Sequence, residues 1–371
     1  MKLTKQYHLK DYKFNIIILV IALSCFGIMV IGSAKESVQM KQVAGLIIGL
    51  VAMVIISLID YVWVLNLYWL IYGANIVLLL AVRFFGTESN NAQRWIDLKF
   101  MQFQPSELSK ILLILFFAKF LMMHQDEINN VKFLIKSMCL VAIPLILILK
   151  QPDLSTTISI AMVFCVLLYV SGLSYKIIGI ALGLAIPVSI IFISIVVQPN
   201  QKLLDTYQQK RILAWLEPQK YASDEAYQQN NSVIAIGSGQ LNGKGLNNNT
   251  TTSVKNGNFI LEPQTDFIFA IVGEELGFVG CCIVIALLLL LVILCIVTAI
   301  KAQDLSGRII CCGVAAQIGF QSFINIGVAT ALLPNTGIPL PFVSAGLTSL
   351  VSMCMGIGFV LNVGLQPKKY Q

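Results

Sequence analysis

Long apolar runs separated by short polar loops make up most of the chain, and one extended polar stretch interrupts them. A helix rises 1.5 Å per residue, so about 20 apolar residues cross the hydrocarbon core of a bilayer. By that measure the pattern predicts ten spans, at roughly 14–33, 43–59, 62–82, 106–123, 132–149, 155–172, 175–197, 267–300, 308–333 and 342–365. Lys136 and Pro144 interrupt the fifth, which membrane helices tolerate when neighbours satisfy the freed carbonyl. The expected fold is an all-α integral membrane protein, a single polytopic unit over 1–371. Its largest loop, 198–265, lies between the seventh and eighth spans.

Composition agrees, with 57% hydrophobic and only 12% charged residues. Charge sets the orientation. Lys2, Lys5, Lys10 and Lys13 precede the first span, and Lys368 and Lys369 follow the last. An even number of spans places both termini in the cytoplasm, with Lys132, Lys176, Lys301 and Arg308 on the same side. The stretch 198–265, the 83–105 loop and the turn 334–341 are then external. The net charge of +7 reads as topology, and no basic patch interleaved with aromatics points to a nucleic-acid partner. The N-terminal run resembles a signal peptide but is too long, so it reads as a retained anchor. All nine cysteines lie in apolar spans without CxxC spacing, as small core hydrophobes.

The large polar stretch is too long for a passive connector. Residues 207–218 read as an amphipathic helix at the membrane surface, and 232–237 as a short apolar element. The tract 247–258 is polar and aperiodic. Between them, Gly237-Ser238-Gly239-Gln240-Leu241-Asn242-Gly243-Lys244-Gly245 invites a phosphate-loop reading. Its first interval is one residue too long and Gly245 replaces the required Ser/Thr, so no nucleotide site is expected. A Gly/Lys turn touching a substrate phosphate is the weaker alternative. No internal repeat supports an inverted-repeat transporter.

Polar residues gather at the predicted outer ends of spans, where charges within a bilayer cost about 2.5–3.5 kcal/mol each at a helix centre. Arg94-Trp95-Ile96-Asp97 and Gln104-Pro105-Ser106-Glu107 come first, with Lys110 on the same helix face as Glu107. Lys150-Gln151-Pro152-Asp153 follows. Asp266 stands where the long polar stretch meets an apolar helix, with Glu274 and Glu275 close behind. The last cluster comprises Asn325 and the run from Leu333 to Ser344. Asp266 reads either as a helix N-cap or as a poorly solvated carboxylate of raised pKa, competent as a base. The only histidines, His8 and His124, fall on the cytoplasmic side, which removes histidine-based triads and most zinc sites.

In these residues the chain resembles the SEDS family (shape, elongation, division and sporulation proteins). Four motifs match in order: Arg94-Trp95 with Gln104-Pro105-Ser106-Glu107; Gln151-Pro152-Asp153-Leu154; Thr265-Asp266-Phe267-Ile268-Phe269-Ala270 with Glu274-Glu275-Leu276-Gly277; and Thr336-Gly337-Ile338-Pro339-Leu340-Pro341-Phe342. The second motif and the Gly243-Lys244-Gly245 turn look closest to the RodA branch. Departures stand at Asn91 and Lys99, at Ser155, in Glu262-Pro263-Gln264, and in Ala345-Gly346-Leu347-Thr348.

The resemblance implies a peptidoglycan glycosyltransferase of the bacterial cytoplasmic membrane that polymerises lipid II. It implies a class B penicillin-binding protein as partner and Asp266 as the essential carboxylate. A sugar hydroxyl attacking an anomeric carbon needs a general base, and Asp266 is the candidate. The departing diphosphate needs positive charge from Lys110, Arg94 or Arg211, or from a divalent cation such as Mg or Mn. Glu107, Asp153 and Ser344 complete the expected substrate-binding set. A lipid flippase and a non-catalytic scaffold for the penicillin-binding protein are the rival readings.

Overall fold

The computed structural model of the chain describes residues 11–89, 92–97, 102–198, 201, 206–221, 226–247, 253, 257 and 259–366. Asn91, Lys99, His8, the first three lysines, Lys368, Lys369 and most of 247–258 lie outside the described residues. Among the described residues, eight helices are long and apolar enough to cross a membrane. They are α1 (Phe14–Ala34), α2 (Glu36–Leu58), α4 (Tyr68–Phe85), α6 (Val131–Leu149), α8 (Tyr175–Val196), α11 (Ile268–Ile300), α12 (Leu305–Ala329) and α13 (Leu347–Gly364). The molecule is thus an all-α, multi-pass membrane protein.

The predicted count of ten is not reached on length and composition alone, for two physical reasons. The helix α5 (Pro105–Met123) carries Glu107, Lys110 and Lys119 within its 19 residues, and α7 (Leu154–Val170) has only 17 residues. The predicted third span divides into a short α3 (Tyr61–Leu65) and α4, with Asp60 capping α3 through Val62 N–H at 3.0 Å. The last span begins at Leu347 rather than 342, because 330–346 is irregular chain.

Among its described residues the predicted external stretch contains two helices. The first, α9 (Thr206–Leu216), fits the amphipathic expectation. The second, α10 (Tyr227–Ser238), is longer than the short apolar element foreseen and is bolted to the bundle. Gln229 donates to the carbonyls of Val328 (2.8 Å) and Leu333 (2.7 Å), and Ser232 donates to that of Ala329 (2.7 Å). A small antiparallel sheet of β1 (Thr87–Ser89), β2 (Ala92–Asp97) and β3 (Gln102–Phe103) precedes α5. The apolar pattern gives no hint of it.

The core lies where α5, α7, α11, α12 and α13 meet, and small residues let these helices approach. Gly313 of α12 lies against Ile114 and Leu167, and Gly356 of α13 against Ile111. Aromatic rings join α4, α5 and α6: Tyr72 and Phe116 centre 4.5 Å apart, Phe116 and Phe120 5.6 Å, and Phe120 and Phe133 5.4 Å. His124 stacks on Phe133 in this ladder, 5.2 Å between centroids, which gives it a packing role. By contrast, α8 buries only Val196. One bundle end is clasped by polar groups: Tyr61 Oη donates to Asp304 (2.8 Å), and Asn362 Nδ2 to the Ser57 carbonyl (2.7 Å). The candidate site lies at the other end, near the C-terminus of α12.

Candidate active site

Asp266 occupies the last turn before α11, half-buried. It does not cap that helix. Phe267 holds the N-cap position and no side chain caps it, so the capping alternative is replaced by a carboxylate turned elsewhere. Asn325 of α12 fixes its backbone: one Nδ2 donates to the carbonyls of Asp266 (2.8 Å) and Ile338 (2.7 Å). The carboxylate faces Gly337, where an added β-carbon would lie 3.3 Å from Asp266 Oδ2 and 3.8 Å from an Arg211 terminal nitrogen. Gly337 has φ +76, a backbone state that favours glycine.

Burial pushes the Asp266 carboxyl up to about 6, opposed by the Arg211 and Arg94 charges and assisted by those of Glu262 and Asp153. A carboxylate of that basicity remains ionised at neutral pH and accepts a proton more readily than an ordinary Asp. Four sequence-predicted residues therefore share one electrostatic neighbourhood: Asp266, Arg94, Asp153 and Arg211.

Their hydrogen bonds separate their roles. Arg94 on β2 donates Nε to the Gln151 carbonyl (3.1 Å) and a terminal nitrogen to that of Pro152, tying the sheet to the chain before α7. Asp153 caps α7, accepting from Thr156 N–H (3.1 Å) and Thr156 Oγ1 (2.9 Å). Arg211 reaches from α9 to the Asn335 carbonyl at 3.4 Å.

Glu107 and Lys110 pair at 2.7 Å inside the bundle, both under 5% exposed. Lys110 also donates to Gln321 Oε1 (3.1 Å), and Gln321 Nε2 donates to the Pro339 carbonyl (3.0 Å). The pair thus supports the Gly337–Pro339 segment from behind. The void beside Lys110 measures only about 10 Å³, room for no more than one water. Ser344 is also a staple: its hydroxyl donates to the Thr265 carbonyl (2.6 Å) and accepts from Leu340 N–H (2.7 Å). Gln42 secures the same loop, donating to the Ser344 carbonyl (3.1 Å) and accepting from Gly346 N–H (3.1 Å).

Gln42, Gln317 and Gln321 escape the sequence reading. Their signal is an amide in an otherwise apolar helix, which needs partners wherever it is buried. Lys244, placed in a turn that could touch phosphate, faces Glu274 at 2.8 Å. Among the described residues no three His, Cys, Asp or Glu side chains converge to hold a metal ion.

The model of the FtsW/RodA/SpoVE family, described as cell cycle proteins, matches residues 12–369. The chain is 35% identical over 359 residues to the peptidoglycan glycosyltransferase MrdB of Escherichia coli K12, covering 94% of this chain and 92% of that one. It is 33% identical over 376 residues to a probable peptidoglycan glycosyltransferase FtsW of Geobacter sulfurreducens, covering 97% of each. Among solved structures it is similar to a chain from work on coordination of polymerization and crosslinking by a peptidoglycan synthase complex. That likeness has TM-score 0.79 and 30% identity, over 95% of this chain and 97% of that one. The rod shape determining protein RodA of Thermus thermophilus superposes with TM-score 0.69 at 27% identity, over 95% and 96% of the two chains. The chain belongs to the SEDS (FtsW/RodA/SpoVE) family.

Proposed function

We infer that the chain is a peptidoglycan glycosyltransferase of the bacterial cell wall. It polymerises lipid II on the outer face of the cytoplasmic membrane, with Asp266 as general base. The observation that carries this reading is the half-buried Asp266 carboxyl, raised to about 6 and set beside Arg211 over a side-chain-free glycine. The acceptor hydroxyl gives its proton to Asp266 while its oxygen bonds to the anomeric carbon of the donor. The bond from that carbon to the diphosphate oxygen breaks with inversion, by analogy with direct displacement in inverting glycosidases. Arg211 is the basic group placed to meet the departing negative charge, and Arg94 adds a second positive charge behind it. Glu107, Lys110, Asp153 and Ser344 hold the walls. A divalent cation such as Mg or Mn would supply further positive charge to the diphosphate.

In this reading α5 and α7 join the eight long helices to make ten spans, with both termini cytoplasmic. The stretch 198–265 is then external, and α9 and α10 sit over the site. The partner is a class B penicillin-binding protein. A groove of about 390 Å³ between α11 and α12 is lined by Ile285, Leu288, Leu289, Val292, Phe323 and Ile326. Gly319 leaves its floor open, with only Val292 Cγ2 near an added β-carbon at 3.9 Å.

The test reconstitutes chain and partner in vesicles with labelled lipid II and reads glycan strands and lipid translocation together. Wild type is expected to make strands and Asp266→Asn to make them about 10²–10⁴-fold more slowly. Translocation without strands would establish transport instead. Equal strands from both proteins would leave the chain a scaffold or move the base elsewhere.

A further inference from the structure

The long helix α11 is broken, and another part of the chain completes it. Gly277 has φ +65 and ψ −164, outside the helical region, so backbone groups on either side lose their intrahelical partners. The loop after α10 supplies replacements. Lys244 and Gly245 donate their N–H groups to the carbonyls of Glu274 (3.0 Å) and Glu275 (2.9 Å), which end the outer piece. Phe278 and Val279, which start the inner piece, donate to the carbonyls of Gln240 (2.8 Å) and Leu241 (3.2 Å). Glycines permit the approach: a β-carbon on Gly239, Gly243 or Gly277 would overlap backbone atoms of the opposite segment.

Side chains lock the junction. Lys244 Nζ lies 2.8 Å from Glu274 Oε1, a carboxylate only 2% exposed. Glu275 accepts from Ser33 Oγ of α1 (2.6 Å) and from Asn247 N–H (3.4 Å). The outer piece, Ile268–Leu276, is therefore gripped at its inner end, while Asp266 stands just beyond its other end. Glu274 is roughly 10 Å along the helix from that end. The grip is also tied to the facing wall, because α10 is bonded to the carbonyls of Val328, Ala329 and Leu333 just ahead of Gly337.

We propose that Lys244 is a positioning residue for glycosyl transfer: paired with Glu274, it fixes the outer piece of α11 and so sets Asp266 against Gly337 and Arg211. The proposal rests on Asp266 as the base. Lys244 touches no reacting atom in this arrangement. Its action reaches the site through nine residues of helix, so its loss moves turnover rather than donor affinity.

The experiment measures kcat, donor KM and the acid limb of the rate profile for the full chain with its partner and lipid II. Lys244→Met is expected to lower kcat about 10–100-fold, the scale of a misplacement near 1 Å, with donor KM unchanged. Its acid limb should move to lower pH, because a loosened Asp266 regains water. Arg211 on α9, Arg94 on β2, Asp153 at α7 and Glu262 in the same turn stay in place in this variant. Exchanging the partners, Lys244→Glu with Glu274→Lys, should restore most of kcat, which loss of folding alone does not explain. Should Lys244→Met fail to fold, Glu274→Gln makes the same break with a smaller change and carries the same expectation. Wild-type kcat and limb in a folded Lys244→Met or Glu274→Gln protein would overturn the proposal. A raised donor KM at unchanged kcat would overturn it in favour of substrate binding by Lys244. In the same assay a fully active Asp266→Asn protein would sink the base assignment itself, an outcome separate from either of these.

Discussion

Gly337 faces Asp266 with no side chain between them: a β-carbon there would lie 3.3 Å from Oδ2 of the carboxylate. The space in front of the carboxylate is held open by a residue that also has φ +76. Gly337→Ala therefore carries two penalties, crowding at the carboxylate and about 1–2 kcal/mol of left-handed backbone strain. The expected result is a large fall in strand synthesis with a modest drop in thermal stability. Polymerisation rate and melting temperature measured on one preparation separate the two effects.

Arg211 lowers the proton affinity of Asp266 and burial raises it, with burial the larger influence. The base must be ionised to work, so the rate should fall as pH drops through about 6. Removing Arg211 takes away an opposing positive charge, so the Arg211→Gln limb should move to higher pH. Its maximal rate should also fall, because the leaving diphosphate loses a counter-charge. A limb that stays put or moves down would show that Arg211 does not act on Asp266.

The Glu107–Lys110 pair sits at 2.7 Å in the bundle interior, and Glu107 Oε2 has no hydrogen-bond partner among the described residues. Removing one member strands the other charge, at a cost of about 3–5 kcal/mol. Lys110→Met should unfold far more easily than wild type, and Glu107→Gln combined with Lys110→Met should recover much of that loss. Thermal unfolding in detergent checks this. A double variant as unstable as the single one would contradict the pairing account.

Asn325 joins the two strands of chain that carry Asp266 and Ile338 through one amide. Each bond contributes about 1 kcal/mol net, and their loss frees the turn that aims the base. Asn325→Ala should lower kcat with little change in donor KM, which steady-state kinetics with lipid II would read directly.

Much of this was legible in the chain because membrane helices announce themselves by apolar length. The readings 14–33, 132–149 and 175–197 differ by at most one residue at either end from α1, α6 and α8. The place of Asp266 was legible because a polar stretch ends there against an apolar run, and α11 begins two residues later at Ile268. The break at Gly277 was not, since its hydrogen bonds come from a loop more than thirty residues earlier in sequence. The small sheet before α5 was hidden by polar residues that carry no alternating pattern. The buried amides of Gln317 and Gln321 carry no sequence signal beyond a polar side chain within an apolar helix. Only packing shows that Gln321 links Lys110 to the Pro339 carbonyl.

The most direct test of the account is the single-turnover rate of glycosidic bond formation against pH, with wild type beside Asp266→Asn. The wild-type rate should climb tenfold per pH unit and level off above about 6. The Asn variant should run about 10²–10⁴-fold slower with no such limb. An Asn variant that keeps both the wild-type rate and the wild-type limb would contradict the role of Asp266 as the base.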